Sequence, residues 1–253
     1  MNTIVITPTY NERDNIDALI GRLLDAVPGI HALIVDDDSP DGTGGIADDL
    51  ADLHPGVHVL HRTSKDGLGA AYRAGFAWAI DRGYDVIVEM DADGSHQPEQ
   101  LPRLLEALQE ADMVIGSRWI PGGRVVGWPI RRRLLSLGGS AYARTVLGLP
   151  QRDVTGGYRV FTAEALRRIR PDVLVSQGYG FQVELLWRAV LLGLRVGEVP
   201  ITFVERTAGR SKMNGRIILE AVVRITAWAL SPKPKSTPPA SGPSADLEPS
   251  RAA

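Results

Sequence analysis

Hydrophobic residues along the first 120 positions fall into two arrangements: short unbroken runs, and stretches that repeat every three to four residues. The unbroken runs lie at 3–7, 32–35, 57–60, 85–90 and 112–116. They predict buried strands, the first of them ended by Pro8. Helical spacing fills the gaps at 15–26, 44–53, 68–82 and 99–110. Pro102 falls in the first turn of the last stretch, where a helix tolerates it. Continuous apolar strands between amphipathic helices predict an α/β fold, a Rossmann-like and mainly parallel sheet flanked by helices on both faces. Ligands of such sheets bind beyond the carboxyl ends of the strands. Those ends are Pro8 to Glu12, Asp36 to Asp38 and Asp91 to Asp93.

The pattern then changes. Residues 119–140 are irregular and rich in Gly, Pro, Trp and Arg. A helix is predicted at 139–147, a strand at 159–161, helices at 163–169 and 179–192, a strand at 195–204 and a last helix at 214–230. The last helix is amphipathic, with Glu220 and Arg224 interrupting its apolar positions. It is too short and too charged to span a bilayer, which takes about 20 apolar residues. It is predicted to pack on the domain or to lie at a membrane interface. Residues 232–253 hold 6 of the 17 prolines and no aromatic side chain. They predict a disordered tail and leave 1–231 as one folded domain.

Composition narrows the function. The chain has 253 residues, no cysteine and a formal net charge of −2. The missing cysteines exclude a disulfide framework, a zinc ribbon and a thiol nucleophile. The near-neutral balance argues against a nucleic-acid binder, which carries a basic field. No apolar run is long enough to span a membrane, and the amino terminus has no basic region followed by a signal-like apolar core. A cytoplasmic, non-spanning protein is expected.

The strongest chemical signal is Asp91-Ala92-Asp93 at the end of a strand. Two carboxylates one residue apart can share a hard divalent cation, Mg²⁺ or Mn²⁺, which bridges to a diphosphate. The same residues also fit a capped turn, since Asp93-Gly94-Ser95 is turn-like. In the Asp36-Asp37-Asp38 run, Asp37 is assigned to a ligand hydroxyl or base, while Asp41 or Thr43 starts the next helix. Gly67-Leu68-Gly69 does not match a phosphate loop or the dinucleotide-binding fingerprint, because position 72 is Tyr. It reads as a plain helix start, which excludes a nicotinamide oxidoreductase. No G-x-S-x-G nucleophile elbow is present, and of five histidines only His96 is placed for function. Arg118, the run Arg131-Arg132-Arg133, and Arg206, Arg210 and Lys212 all follow strands. Guanidinium forks suit phosphate oxygens, so these groups point to two separate phosphates. Each of them alone equally fits a solvated surface charge.

Taken in order, the motifs Pro8-Thr9-Tyr10-Asn11-Glu12, Val35-Asp36-Asp37, Met90-Asp91-Ala92-Asp93 and Ser95-His96 resemble family 2 inverting glycosyltransferases. The later runs narrow the likeness. Gly116-Ser117-Arg118, Asp153 through Arg159, Gly178 through Glu184, and Glu198 through Lys212 resemble the polyprenol (dolichol) monophosphate mannose synthases. The resemblance covers about 1–230. It implies a GT-A fold and mannose transfer from GDP-mannose to a polyprenyl phosphate. It assigns Pro8, Tyr10, Glu12, Val35 and Asp37 to the nucleotide, and Asp91, Ala92 and Asp93 to diphosphate and metal. It assigns Arg118, Arg206 and Lys212 to phosphate groups, with Arg118, Arg132 and Ser136 at the acceptor phosphate. Asp93, Arg118, Arg206 and Glu184 form the implied catalytic set; Glu184 otherwise reads as a helix-surface carboxylate. Ser95 stands where some relatives carry a metal-holding glutamine. A polyprenyl acceptor further implies peripheral membrane contact at the cytoplasmic face. Trp119, Trp128, Ile130, Leu134 and Leu135 are the candidates to meet lipid, with ordinary core packing as the alternative, and an integral membrane-protein partner is consistent with so slight an anchor. The competing readings are a UDP-sugar transferase to the same kind of lipid and a nucleotide-sensing scaffold without turnover.

Overall fold

The computed structural model describes residues 1–174, 176, 178–205 and 215–230, with side chains at all but 179 and 215–220. The predicted tail, 232–253, lies outside the described residues. Strands β1 (Thr3–Thr9), β2 (His31–Asp36), β3 (Val57–His61), β4 (Val86–Glu89) and β5 (Met113–Ser117) alternate with helices α1 (Ile16–Ala26), α2 (Thr43–Leu53), α3 (Leu68–Asp81) and α4 (Leu101–Ala107). They are followed by β6 (Arg124–Val126), α5 (Ile130–Leu147), β7 (Arg159–Thr162), α6 (Ala163–Ile169), α7 (Gly178–Leu191), β8 (Val196–Pro200), β9 (Thr202–Val204) and α8 (Gly215–Leu230).

The main sheet has the order β3-β2-β1-β4-β7-β5-β8. All its neighbours are parallel except β7, which runs antiparallel to both β4 and β5. The expected mainly parallel, helix-flanked sheet is therefore observed. Alternation along β2 sends Leu33 and Val35 to one face and Ala32 and Ile34 to the other. The first face packs on α3, α6 and α7, and the second on α1, α2 and α4.

Four local expectations change. β1 runs through Pro8 to Thr9. Pro8 pairs with Val35 of β2 but lies beyond Ile6, the last β1 residue in register with β4, so no ladder bond needs its missing N–H. The segment at 195–204 is two strands. At Ile201 the chain leaves the main sheet, donating its N–H to the Ser117 carbonyl, and β9 pairs with β6 in a separate parallel two-stranded sheet. The irregular stretch contains most of a helix: α5 starts at Ile130, nine residues before the expected position. Pro129 caps it with φ −59°, and its carbonyl accepts from the N–H groups of Arg132 and Arg133. Ile130, Leu134, Leu135 and Leu137 of this helix are exposed, so no buried stripe marked its first turns in the sequence. Finally, Gly69 does more than begin a helix. A Cβ there would lie 3.0 Å from both the Phe181 ring and the Ser176 carbonyl, so its absence lets α3 approach α7 closely.

α8 packs on the domain as expected. Ile225 is buried, Trp228 stacks on Trp187 of α7 at 5.6 Å, and Thr226 hydrogen-bonds Tyr142 of α5 at 2.7 Å. Among the described residues no helix is long and apolar enough to cross a membrane.

Candidate active site

The carboxyl ends of β1, β2, β4 and β5 lie along one edge of the sheet and carry most of the expected residues. Asp36 welds the first two ends together. It accepts from the Thr9 hydroxyl at 2.8 Å, the Ser39 N–H at 3.0 Å and the Ser39 hydroxyl at 2.6 Å. Ser39 in turn accepts from the Asn11 N–H, and Thr43 accepts from the Glu12 N–H. Asp41 takes the Thr43 N–H at 3.0 Å and the Thr43 hydroxyl at 2.6 Å just ahead of α2, but the cap position itself falls on Gly42 rather than on Asp41 or Thr43. Asp37, next in sequence, is buried and paired with the Arg62 guanidinium. Burial raises its pKa, and Arg62 offsets only part of that rise. Tyr10 lies beneath the Lys65 ammonium, 3.5 Å from its ring centroid. Pro8 and Glu12 are half-buried, while the Val35 side chain is wholly inside the core, so only its main chain can face a ligand.

The Asp91-Ala92-Asp93 turn follows β4. The Asp91 N–H donates to His96 Nδ1 at 3.0 Å, which fixes the ring proton on Nε2. His96 is buried, and burial keeps its pKa below the ordinary value. It stacks on Tyr158 at 4.9 Å and meets Phe203 edge-on at 5.4 Å. His96 therefore shapes the turn from behind. Asp91 accepts from the Tyr72 hydroxyl at 3.3 Å, and its side chain is 34% exposed. Asp93 accepts from the Ser95 N–H at 3.1 Å and is 8% exposed. The turn reading of this motif is thus observed, with Asp93 accepting from the N–H two residues on.

The residues here fit a hard divalent cation. Both acidic side chains offer only oxygen. The buried Ser95 hydroxyl beside them has no hydrogen-bond partner among the described residues. Gly157 keeps the space in front of Asp91 open: a Cβ there would lie 3.8 Å from Asp91 Oδ2 and 3.6 Å from the His96 ring. No group of three or more His, Cys, Asp or Glu side chains that could hold a metal occurs among the described residues. The acidic donors on offer at this turn are therefore the two carboxylates Asp91 and Asp93. Behind the turn lie two buried ionisable groups that the sequence reading missed. Burial pushes Glu89 up to about 8 and Arg159 down to about 10. Arg159 donates to the carbonyls of Gly156, Gln182 and Val154, binding the 153–157 loop to α7.

Arg118 follows β5 and is 5% exposed. Its Nε and Nη2 each meet an oxygen of Asp153 at 2.7 Å, and its own N–H donates to the same carboxylate at 2.9 Å. Nη2 also reaches the Thr155 hydroxyl at 3.0 Å. Burial alone would raise Asp153, but the guanidinium holds its carboxyl below the usual range. Trp119, Trp128 and Phe203 box the guanidinium, their ring centroids 5.4 to 5.5 Å from Cζ. Of the two readings offered for the tryptophans, lipid contact or core packing, their half-buried position around this arginine fits the second. Arg132 stacks on the same Trp128 ring at 4.1 Å and pairs with Glu205. Ser136 lies one turn further along α5, on the face of Arg132. Glu184 of α7 is not a surface carboxylate. It is 3% exposed, accepts from the Ser176 N–H at 3.3 Å and lies 3.4 Å from Arg188. Arg206 and Lys212 lie outside the described residues.

Comparison with known proteins agrees with this geometry. The family model described as Glycosyl transferase family 2 matches residues 4–170. An undecaprenyl-phosphate mannosyltransferase of Micrococcus luteus is 59% identical over 231 residues, covering 91% of this chain and 95% of its own length. A polyprenol monophosphomannose synthase of Mycolicibacterium smegmatis is 54% identical, covering 90% and 87%. A mannosyltransferase from Pyrobaculum calidifontis, solved in complex with GDP-Man and Mn²⁺, superposes with a TM-score of 0.62 at 19% identity, covering 92% of this chain and 66% of that one. That last likeness speaks for the fold alone. On the match across most of its sheet and on these relatives, the chain belongs to glycosyltransferase family 2.

Proposed function

We propose that the chain transfers mannose from GDP-mannose to a polyprenyl phosphate, inverting the sugar carbon and releasing GDP. The observation that carries this reading is one sheet edge whose carboxylate turn is linked through His96 and Phe203 to Arg118, which shares the Trp128 indole with Arg132 of α5. The relatives named above, at 59% and 54% identity, support the lipid phosphate as acceptor. Tyr10, Glu12 and Asp37 line the nucleotide, with Arg62 and Lys65 completing that wall.

Asp91 and Asp93 hold Mg²⁺ or Mn²⁺, which supplies neutralisation of the leaving diphosphate when bound. The nucleophile is a lipid phosphate oxygen, anionic near neutral pH, so the site needs no strong general base. What it needs is orientation and preorganised charge. Arg118, fixed by Asp153, and Arg132, one turn from Ser136, hold the acceptor phosphate. Glu184 orients groups around Ser176 rather than relaying a proton. Arg206 and Lys212 are assigned to the donor phosphates. Attack opposite the diphosphate gives a β-linked product from an α-linked donor.

The lipid acceptor brings the chain to a membrane surface, at the cytoplasmic face. The exposed apolar residues of α5 (Ile130, Leu134 and Leu135) and of α8 (Val222, Val223 and Leu230) support peripheral contact. An integral membrane-protein partner would strengthen so small an anchor.

The test is a transfer assay with purified protein, short-chain polyprenyl phosphate, and labelled GDP-mannose beside UDP-glucose. Label entering lipid from GDP-mannose, and lost with EDTA or in Asp93→Ala, is the expected result. Transfer from UDP-glucose alone overturns the donor assignment, and metal-independent transfer overturns the metal role.

A further inference from the structure

Two arginines flank Trp128, and both are already paired with a carboxylate. The pairs differ in geometry. Asp153 meets Arg118 along one edge of the guanidinium, oxygen to nitrogen twice, inside the core. Glu205 places both its oxygens on a single nitrogen of Arg132, Nη1, and leaves the Nε–Nη2 edge to other acceptors. Side-chain exposure is 17% for Arg132 and 29% for Glu205, against 5% and 0% for the buried pair.

The Glu205 main chain is fixed. Its N–H donates to the Val126 carbonyl at 2.9 Å, extending the β6–β9 ladder. Gly127, at φ +82°, makes room for it, since a Cβ there would come within 2.9 Å of Glu205 Cβ. The preceding residue, Val204, donates its N–H to the Ser95 carbonyl at 3.2 Å, so this strand end also touches the carboxylate turn. Glu205 therefore stands between the carboxylate turn and the proposed acceptor arginine, its main chain held by the ladder and its side chain by Arg132.

We propose that Glu205 is a specificity-determining residue for the acceptor headgroup: it pairs with Arg132 and yields it to a phosphomonoester dianion. This inference rests on the reading of Arg132 as an acceptor-phosphate group. A phosphomonoester carries close to two negative charges at neutral pH and matches the guanidinium fork. A carboxylate held end-on to one nitrogen is a weaker partner. A phosphodiester headgroup of an ordinary anionic phospholipid carries one charge and has no such advantage. Glu205 thus keeps Arg132 from being occupied by the bulk anionic lipid that any peripheral enzyme on a membrane meets. The cost of displacement is small, because a partly exposed ion pair is worth up to about 1 kcal/mol, equivalent to about fivefold in affinity.

The experiment compares wild type with Glu205→Gln and Glu205→Ser in detergent micelles. It measures KM for short-chain polyprenyl phosphate, KM for GDP-mannose, and inhibition by dioleoyl phosphatidylglycerol with phosphatidylcholine as control. Both variants should lower the acceptor KM by about fivefold and leave the donor KM unchanged. Both should be inhibited by phosphatidylglycerol at concentrations several-fold lower than wild type, and phosphatidylcholine should have no effect. An acceptor KM that is unchanged or raised in both variants overturns the proposal and makes Glu205 a neutral or supporting partner of Arg132. Arg132→Gln separates the underlying reading. If that change leaves the acceptor KM unaltered, Arg132 is not an acceptor group and the fault lies in the site assignment.

Discussion

Asp153–Arg118 and Glu205–Arg132 are chemically the same pair placed in two environments around one indole ring. The first is sealed: a two-pronged contact, a third bond from the main chain, a hydroxyl from Thr155 and aromatic walls. The second is partly exposed and one-pronged. Burial makes an ion pair costly to break, because removing one partner strands the other charge in a poorly solvating medium. Exposure makes it cheap to exchange. The difference assigns Arg118 to a fixed element of the site and Arg132 to an exchangeable one.

The largest effect should come from breaking the sealed pair. Asp153→Asn leaves Arg118 without its countercharge and should cost about 3–5 kcal/mol of stability, read as a fall in Tm of roughly 10 °C or more. Glu205→Gln, the same chemical change in the open pair, should move Tm by no more than about 3 °C. Equal losses would erase the distinction drawn from burial. Next in size is the response to lysine. Arg118→Lys cannot reproduce the two-pronged contact with Asp153 and should lower kcat/KM about a hundredfold, whereas Arg132→Lys should cost about tenfold, mostly in acceptor KM.

A smaller effect concerns acid. Asp153 has a folded pKa below its unfolded value, so its contribution to stability is fully present above the unfolded value near 4. It is lost as pH falls through the folded pKa. The slope of stability against pH below about 4 should therefore flatten in Asp153→Asn, as measured by urea unfolding at several pH values. An unchanged acid limb would mean that the pair is not held in solution. The smallest effect is at the shared ring. Trp128→Leu keeps apolar bulk but removes the cation–π contact to both arginines, worth about 0.5–1 kcal/mol at each. It should raise the acceptor KM a few-fold and leave the donor KM alone.

The candidate edge was legible because its residues sit where local pattern ends. Each buried strand is readable from its apolar run, and the acids and the arginine follow immediately after it. The partners of those residues were not legible. Arg62 lies 25 positions from Asp37, Asp153 lies 35 from Arg118, and Glu205 lies 73 from Arg132. Nothing local couples such positions; the sheet order brings them together, β5 lying between β7 and β8. Glu89 was hidden for a different reason: a carboxylate inside a strand looks like a polar face until burial is known. The start of α5 was missed because its apolar side chains face outward, so the periodicity that usually marks a core-facing helix was absent. The break at Ile201 was missed because both halves of 195–204 are strand-like, and only the tertiary ladder separates them.

The most direct test places the two pairs side by side in one assay. Acceptor saturation curves at fixed GDP-mannose should be recorded for wild type, Asp153→Asn and Glu205→Gln, at a temperature where all three are folded. The two charge-neutralising changes should move acceptor use in opposite directions, with kcat/KM for polyprenyl phosphate falling in Asp153→Asn and rising in Glu205→Gln. A fall in both, of similar size, would contradict the division into a fixed and an exchangeable arginine.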